Sequence, residues 1–238
     1  MKAEKILSFI ENAISQADEE NKRLFDFCIT KLLPETGRGL DTEILSDKPE
    51  TFALAVIYTE AKAEYNNELA KSAGKLDAKK AAEKIIKIMQ ENGRPRAGAI
   101  KTSDGKYIFS SPYHGIRIAD SFNITEWQGV PPDFERIFNG VAQNAGERLT
   151  PPSAAELKEI IRKTKAENKG KNKYAKTAPL YDFGENAPAV NAEYLLQIMQ
   201  AIGEDIVITA AAERPTVSGL YIYTDIGDAV LMPSRKTK

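Results

Sequence analysis

The chain has 238 residues, 42% of them hydrophobic, with a mean hydropathy of -0.39; this is room for one large soluble domain or two ordinary ones. A single cysteine, Cys28, and a single histidine, His114, exclude a disulfide framework, a multi-cysteine zinc site and a histidine-based metal centre. The net charge of -1 conceals an asymmetry: Lys158, Arg162, Lys163, Lys165, Lys169, Lys171, Lys173 and Lys176 face only Glu159 and Glu167, so this stretch carries about +6 and the remainder about -7.

No apolar run reaches the roughly eighteen residues that a membrane span needs. The opening Met1-Lys2-Ala3-Glu4-Lys5-Ile6-Leu7 is amphipathic with acidic residues close behind, unlike the long apolar block of a signal peptide, so the cytoplasm is the expected compartment. Residues 2–17 read as a helix with Ile6, Ile10, Ala13 and Ile14 inward. Residues 19–33 continue as a helix through Leu24, Phe25, Cys28 and Leu32, which Pro34 and Gly37 bring to an end. Glu35 to Pro49 has turn chemistry, and 51–72 is helical with Phe52, Val56 and Ile57 inward. Asp77 is the expected N-cap of a helix over 78–91 that buries Ala82, Ile85, Ile86 and Met89 and stops at Asn92-Gly93-Arg94-Pro95.

The periodicity then shortens. Residues 99–102 and 106–109 form a predicted hairpin around Ser103-Asp104-Gly105, and 115–119 a further strand. A segment punctuated by Pro and Gly runs from Gly129 to Pro152. Ser153 and Glu156 have capping-box spacing and open a helix that buries Leu157, Ile160, Ile161 and Thr164, with Lys158, Arg162 and Lys165 on its other face. After a loop at 170–173 come a short strand at 179–184, a helix over 192–202 with Asn191 as N-cap and Gly203 at its end, and strands at 206–211, 220–224 and 229–232. No tandem repeat is evident. The organisation is a helical region over 1–76 followed by an α+β domain over 77–238, with a boundary near 140–152 if that part holds two domains.

Four stretches carry a resemblance. Val190-Asn191-Ala192-Glu193-Tyr194-Leu195-Leu196 and the terminal Ala229-Val230-Leu231-Met232-Pro233-Ser234-Arg235 are similar to the Asn-x-x-Tyr-Leu-Leu helix and the closing hydrophobic-Met-Pro-x-Arg strand of the bacterial sliding clamp, the β subunit of DNA polymerase III. Pro132-Asp133-Phe134-Glu135-Arg136-Ile137-Phe138 resembles that family's Pro-Asp-Tyr-x-Arg-Val segment, and Gly115-Ile116-Arg117-Ile118-Ala119 its Gly-His/Tyr-Arg-Leu-Ala strand, in the family's order. The resemblance covers roughly 97–238. The chain departs from the pattern in being much shorter than a three-domain clamp, in its motif spacings, in His114 where the family has Asp, and in Ser234 where it has an apolar residue.

The resemblance implies a DNA-clamp-like α+β domain, with helices on one side of antiparallel sheets. It implies a non-enzymatic replication accessory that needs no cofactor and no metal. Double-stranded DNA would be held through phosphates by Lys80, Lys84, Lys87, Lys158, Arg162 and Lys165. Short linear peptides from replication proteins would dock in a hydrophobic pocket, whose lining maps to Ile116, Ile118, Val230, Met232, Pro233 and Arg235. A homo-oligomeric ring would follow, three copies if each protomer holds two clamp domains. Each set of residues also has a plain structural use: the cations as solvated helix faces, the apolar residues as sheet core. A degenerate clamp-fold module that binds another protein and no DNA is therefore the competing reading, and a hydrolase or nuclease a third. No phosphate-binding Gly-rich loop, Gly-x-Ser-x-Gly elbow or His-Glu-x-x-His helix is present.

Overall fold

A computed structural model describes residues 2–33 and 49–234. The chain divides into two compact units, Met1–Leu76 and Asp77–Lys238.

In the first unit, helices α1 (Lys2–Gln16) and α2 (Glu19–Phe27) both pack on α3 (Pro49–Ser72). Asp18 accepts a bond from the Asn21 amide at 2.8 Å and so caps α2, whose end widens into a π turn over Cys28–Leu32. Ile10, Phe25, Cys28 and Ala55 form the core, with Phe25 edge-on to Tyr58 at 5.5 Å. The buried seam of α1 is Ala3, Leu7 and Ile10, with Ile14 half-buried; the expected Ile6 is 40% exposed and Ala13 is exposed. The two apolar rows lie side by side on the helix, and the one closed by Ala3 and Leu7 faces the neighbour. In α3 Ala55 is buried, the expected Phe52 and Val56 are half-buried, and the expected Ile57 is exposed. The helix stop expected at Pro34 and Gly37 lies outside the described residues.

The second unit opens with α4 (Leu76–Glu91), which buries Ala82, Ile85, Ile86 and Met89 as the spacing requires. Asp77 stands inside its first turn, not at the cap. Strands β1 (Ile100–Lys101), β2 (Tyr107–Ser110) and β3 (His114–Ile118) follow as an antiparallel meander. Next come α5 (Phe134–Gln143), β4 (Ala145–Leu149) and α6 (Ala154–Glu167), then β5 (Leu180–Asp182) and β6 (Ala189–Asn191) as a separate two-stranded sheet. Helix α7 (Ala192–Ile202) leads into β7 (Val207–Ala211), β8 (Leu220–Tyr223) and β9 (Gly227–Leu231). The main sheet is antiparallel with order β1-β2-β3-β9-β8-β7-β4, so the last strand of the chain is central and paired on both edges.

The fold class is α+β. The sequence leads one to expect helices on one side of the sheet and no helix between 129 and 152. Residues Phe109, Ile116, Ala229, Ile222 and Ile208 share one sheet face by register. Their neighbour on that face, His114, touches α7 through Gln197 and Tyr194. The other face carries Gly115 and Arg117, and there α5 lies on the sheet: a Cβ at Gly115 would come within 3.2 Å of Phe138 Cζ. Helices thus cover both faces of the sheet. The proline pairs 131–132 and 151–152 had marked the intervening segment as irregular; in the structure they bracket α5 and β4, and Asp133 caps α5 by accepting from the Arg136 amide at 3.0 Å.

Candidate functional site

An open groove of about 650 Å³ lies between α5 and the end of β9, lined by Arg136, Ile137, Val141, Val217, Gly219 and Met232, with Asp133, Gly140, Asn144 and Ser218 at its margins. Three local features make it. The α5 face opposite Phe134 and Phe138 leaves Ile137 47% exposed. Beyond β9 the backbone is held from two sides, by Met232 N–H donating to Tyr113 O and Ser234 N–H donating to Ala189 O, both at 2.8 Å. That fixes Met232, 41% exposed, at the rim. Gly219 completes the wall, since a Cβ there would stand 3.3 Å from Met232 Sδ and 3.6 Å from Val230 Cγ1. Val217, 65% exposed, forms the far lip. An apolar floor of a branched residue and a thioether, with one guanidinium at the edge, can take up an apolar side chain and orient a carbonyl or carboxylate.

Behind the groove, Arg117 on β3 donates to both carboxylate oxygens of Asp228 on β9, at 2.9 and 2.7 Å, and through Nη1 to Asn139 Oδ1 on α5 at 2.9 Å. Its guanidinium also lies 5.4 Å from the Phe138 ring centroid. The bond to Asp228 raises the Arg117 pKa further above its ordinary value. Burial raises the Tyr221 hydroxyl pKa, with Asp228 beside it adding to the effect. On the opposite face, His114 is 2% exposed and stacked 4.3 Å from Tyr194. Its Nε2–H donates to Gln197 Oε1 at 3.0 Å, and its Nδ1 lies 2.9 Å from the Ser111 hydroxyl. Burial lowers the imidazole pKa to about 4. With its ring nitrogens engaged and no opening to solvent, His114 is part of the packing.

The residues expected to line a peptide pocket divide between the two faces. Register pairs Val230 with Gly115 and Ile116 with Ala229, so Val230 and Met232 point to the α5 side while Ile116 and Ile118 point away from it. Ile116 and Ile118 are 0% and 2% exposed in the core and line no groove. Val230 lies buried under Gly219, Met232 borders the groove, Pro233 is half-buried beside it, and Arg235 lies outside the described residues. The groove residues missing from the expectation are Arg136, Ile137, Val141 and Val217. The signal for two of them was in hand, because Pro132–Phe138 carried the resemblance and needed only to be read as an amphipathic helix.

Of the expected DNA-facing cations, Lys80, Lys84 and Lys87 are exposed along α4, with Lys87 Nζ 4.0 Å from Glu91. Lys158, Arg162 and Lys165 are exposed along α6. Arg162 donates twice to Glu159 at 2.8 Å, Lys163 reaches the same carboxylate at 3.5 Å, and Lys165 pairs with Glu193 of α7 at 2.8 Å. The Arg162 guanidinium holds the Glu159 carboxyl down at about 2. Such exposed pairs exchange readily, yet at rest they engage Arg162 and Lys165, two of the three expected cations on α6.

Among the described residues no group of three or more His, Cys, Asp or Glu is placed to hold a metal ion, and no helix is long and apolar enough to cross a membrane. No family model matches the chain, and no curated protein matches it. Two crystal structures of the DNA polymerase sliding clamp from Pseudomonas aeruginosa, one with ligand, are similar to it at 19% and 20% identity over 55% of this chain, each with a TM-score of 0.31. The matched part spans 42% of the clamp's length in both cases.

Proposed function

We propose that this protein is a non-enzymatic, clamp-related accessory of DNA replication that docks short linear peptides in the groove between α5 and the end of β9. The carrying observation is that two segments far apart in sequence that resemble sliding clamps, Pro132–Phe138 and Val230–Pro233, meet there, with Ile137 and Met232 both lining the groove. In this reading Arg136 anchors a polar group of the peptide, while Ile137, Val217 and Met232 receive its apolar side chains. Duplex DNA is held through phosphates by Lys80, Lys84, Lys87, Lys158, Arg162 and Lys165, and the protomers associate in a closed oligomer.

The test has two arms. Titration with fluorescent peptides from polymerase and clamp-loader subunits should show saturable binding that Met232→Glu or Ile137→Glu removes. Sedimentation together with retention on nicked circular duplex DNA should show a discrete oligomer whose DNA binding weakens with salt and on charge reversal of Lys158, Arg162 and Lys165. Absence of peptide binding would reject the groove.

A second reading is favoured by the ion pairs of Arg162 and Lys165 with Glu159 and Glu193: a clamp-fold interaction module that binds peptide and no DNA. A monomer that captures peptide and ignores circular DNA is its signature.

A further inference from the structure

The loop after α6 is not absorbed by either reading. Lys169, Lys171, Lys173 and Lys176 give it a charge of about +4, against about -5 for the rest of the chain. The loop is closed at its base: Asn168 Nδ2 donates to Thr177 O at 2.7 Å, and the Thr177 amide returns a bond to Asn168 Oδ1 at 3.0 Å. Its tip is hydrogen-bonded as well. Asn172 Oδ1 accepts from the amides of Tyr174 and Ala175 at 3.1 and 2.9 Å, holding a short 3-10 turn over Lys173–Ala175.

This scaffold exhibits one aromatic ring. Tyr174 is 96% exposed, whereas tyrosine in a folded protein ordinarily covers part of its ring. Lys169, Lys171 and Lys176, which flank it in sequence, are exposed. An isolated lysine-rich loop is commonplace; a side chain–pinned loop with a ring held in water among cations is a stacking platform with phosphate clamps. Unpaired nucleic acid offers the complement, a π face for each base and a phosphate at every step. In a duplex the base faces are already stacked on one another and hidden from such a ring.

We infer that the 168–177 loop binds single-stranded nucleic acid, Tyr174 stacking on an unpaired base while Lys169, Lys171 and Lys176 hold the flanking phosphates. This site shares no residue with the groove or with the cations of α4 and α6 named above, and it does not require a ring.

Fluorescence anisotropy with a labelled oligothymidylate and with a blunt duplex of equal length tests it. The full chain should bind the single strand more tightly than the duplex. Tyr174→Ala should weaken single-strand binding roughly fivefold to a hundredfold, the range of one base stack, with duplex binding unchanged and Tyr174→Phe restoring affinity. Asn168→Ala, which keeps ring and cations but opens the loop, should weaken it severalfold. Lys169→Glu with Lys171→Glu and Lys176→Glu should reduce the salt slope for the single strand by about 2. Circular dichroism melts confirm that each variant is folded. Equal binding by the full chain and Tyr174→Ala, or no binding of the oligonucleotide, overturns the inference. Binding to vesicles of phosphatidylcholine and phosphatidylserine without oligonucleotide binding also overturns it and makes the loop a membrane-surface element. Failure here leaves peptide capture by the groove untouched, so the two readings fall separately.

Discussion

Arg117 and Asp228 face each other across the β3–β9 ladder as a bidentate pair, their side chains only 12% and 9% exposed, and the third arm of the guanidinium reaches Asn139 on α5. The pair therefore does more than join two strands. It sets the position of α5 on the sheet, and the groove is the gap that this position leaves.

Breaking the pair should be costly in an identifiable way. Asp228→Ala leaves a guanidinium in a nearly dry site, and removing one partner of such a pair costs about 3–5 kcal/mol. Replacing both groups, as in Arg117→Met with Asp228→Leu, should recover much of that loss, because desolvation of two charges is relieved together. Urea denaturation of the three proteins measures both effects. If the single variant is as stable as the parent, the pair does not hold α5.

His114 gives the fold a pH dependence with a definite sign. Burial depresses its folded-state pKa to about 4, below the ordinary 6.5 of the unfolded chain. Between those values the unfolded state binds the extra proton, so stability falls as pH drops from about 6.5 towards 4 and is fully present above that window. The shift corresponds to about 3 kcal/mol over the whole window. The difference in melting temperature between parent and His114→Gln should therefore hold from pH 7.5 to about 6.5 and shrink from there to pH 4.5. A difference that stays constant across that range contradicts a neutral, buried imidazole.

Much of this architecture was written in local signals. The capping box at Ser153 and Glu156, the cap at Asn191 and the stripe of Leu195, Ile198, Met199 and Ile202 each depend on neighbours within a few residues, and each formed where its spacing put it. The partition of Ile116 from Val230 depends on which residue of β9 stands opposite which residue of β3, more than a hundred positions away. A one-residue slip would exchange the faces, and nothing local fixes that choice. Helix α5 differs: its cap at Asp133 and its stripe of Phe134 and Phe138 are local signals, obscured in the sequence by the prolines on either side.

The capping box can be weighed directly. The Ser153 hydroxyl accepts from the Glu156 amide at 3.2 Å, and the Glu156 carboxylate accepts from the Ser153 amide at 2.8 Å, which lowers the Glu156 pKa. Ser153→Ala should cost about 1 kcal/mol, read as a shift of the urea midpoint with an unchanged slope. A loss well beyond 2 kcal/mol would mean that the hydroxyl has a tertiary partner.

The face assignment makes the sharpest contrast. Met232 and Ile137 border solvent at the groove, whereas Ile116 and Ile118 fill the opposite face of the same sheet. Met232→Glu and Ile137→Glu should therefore leave the melting temperature within a few degrees of the parent, since solvated rim positions tolerate charge within about 0.5 kcal/mol. Ile116→Glu buries an unpaired carboxylate and should abolish cooperative folding. Truncation is gentler: Ile118→Ala removes buried methylenes and should cost about 2–5 kcal/mol. Thermal melts on the four proteins decide it. Were Met232→Glu as damaging as Ile116→Glu, the end of β9 would belong to the core, and the groove would lose the wall that faces Ile137.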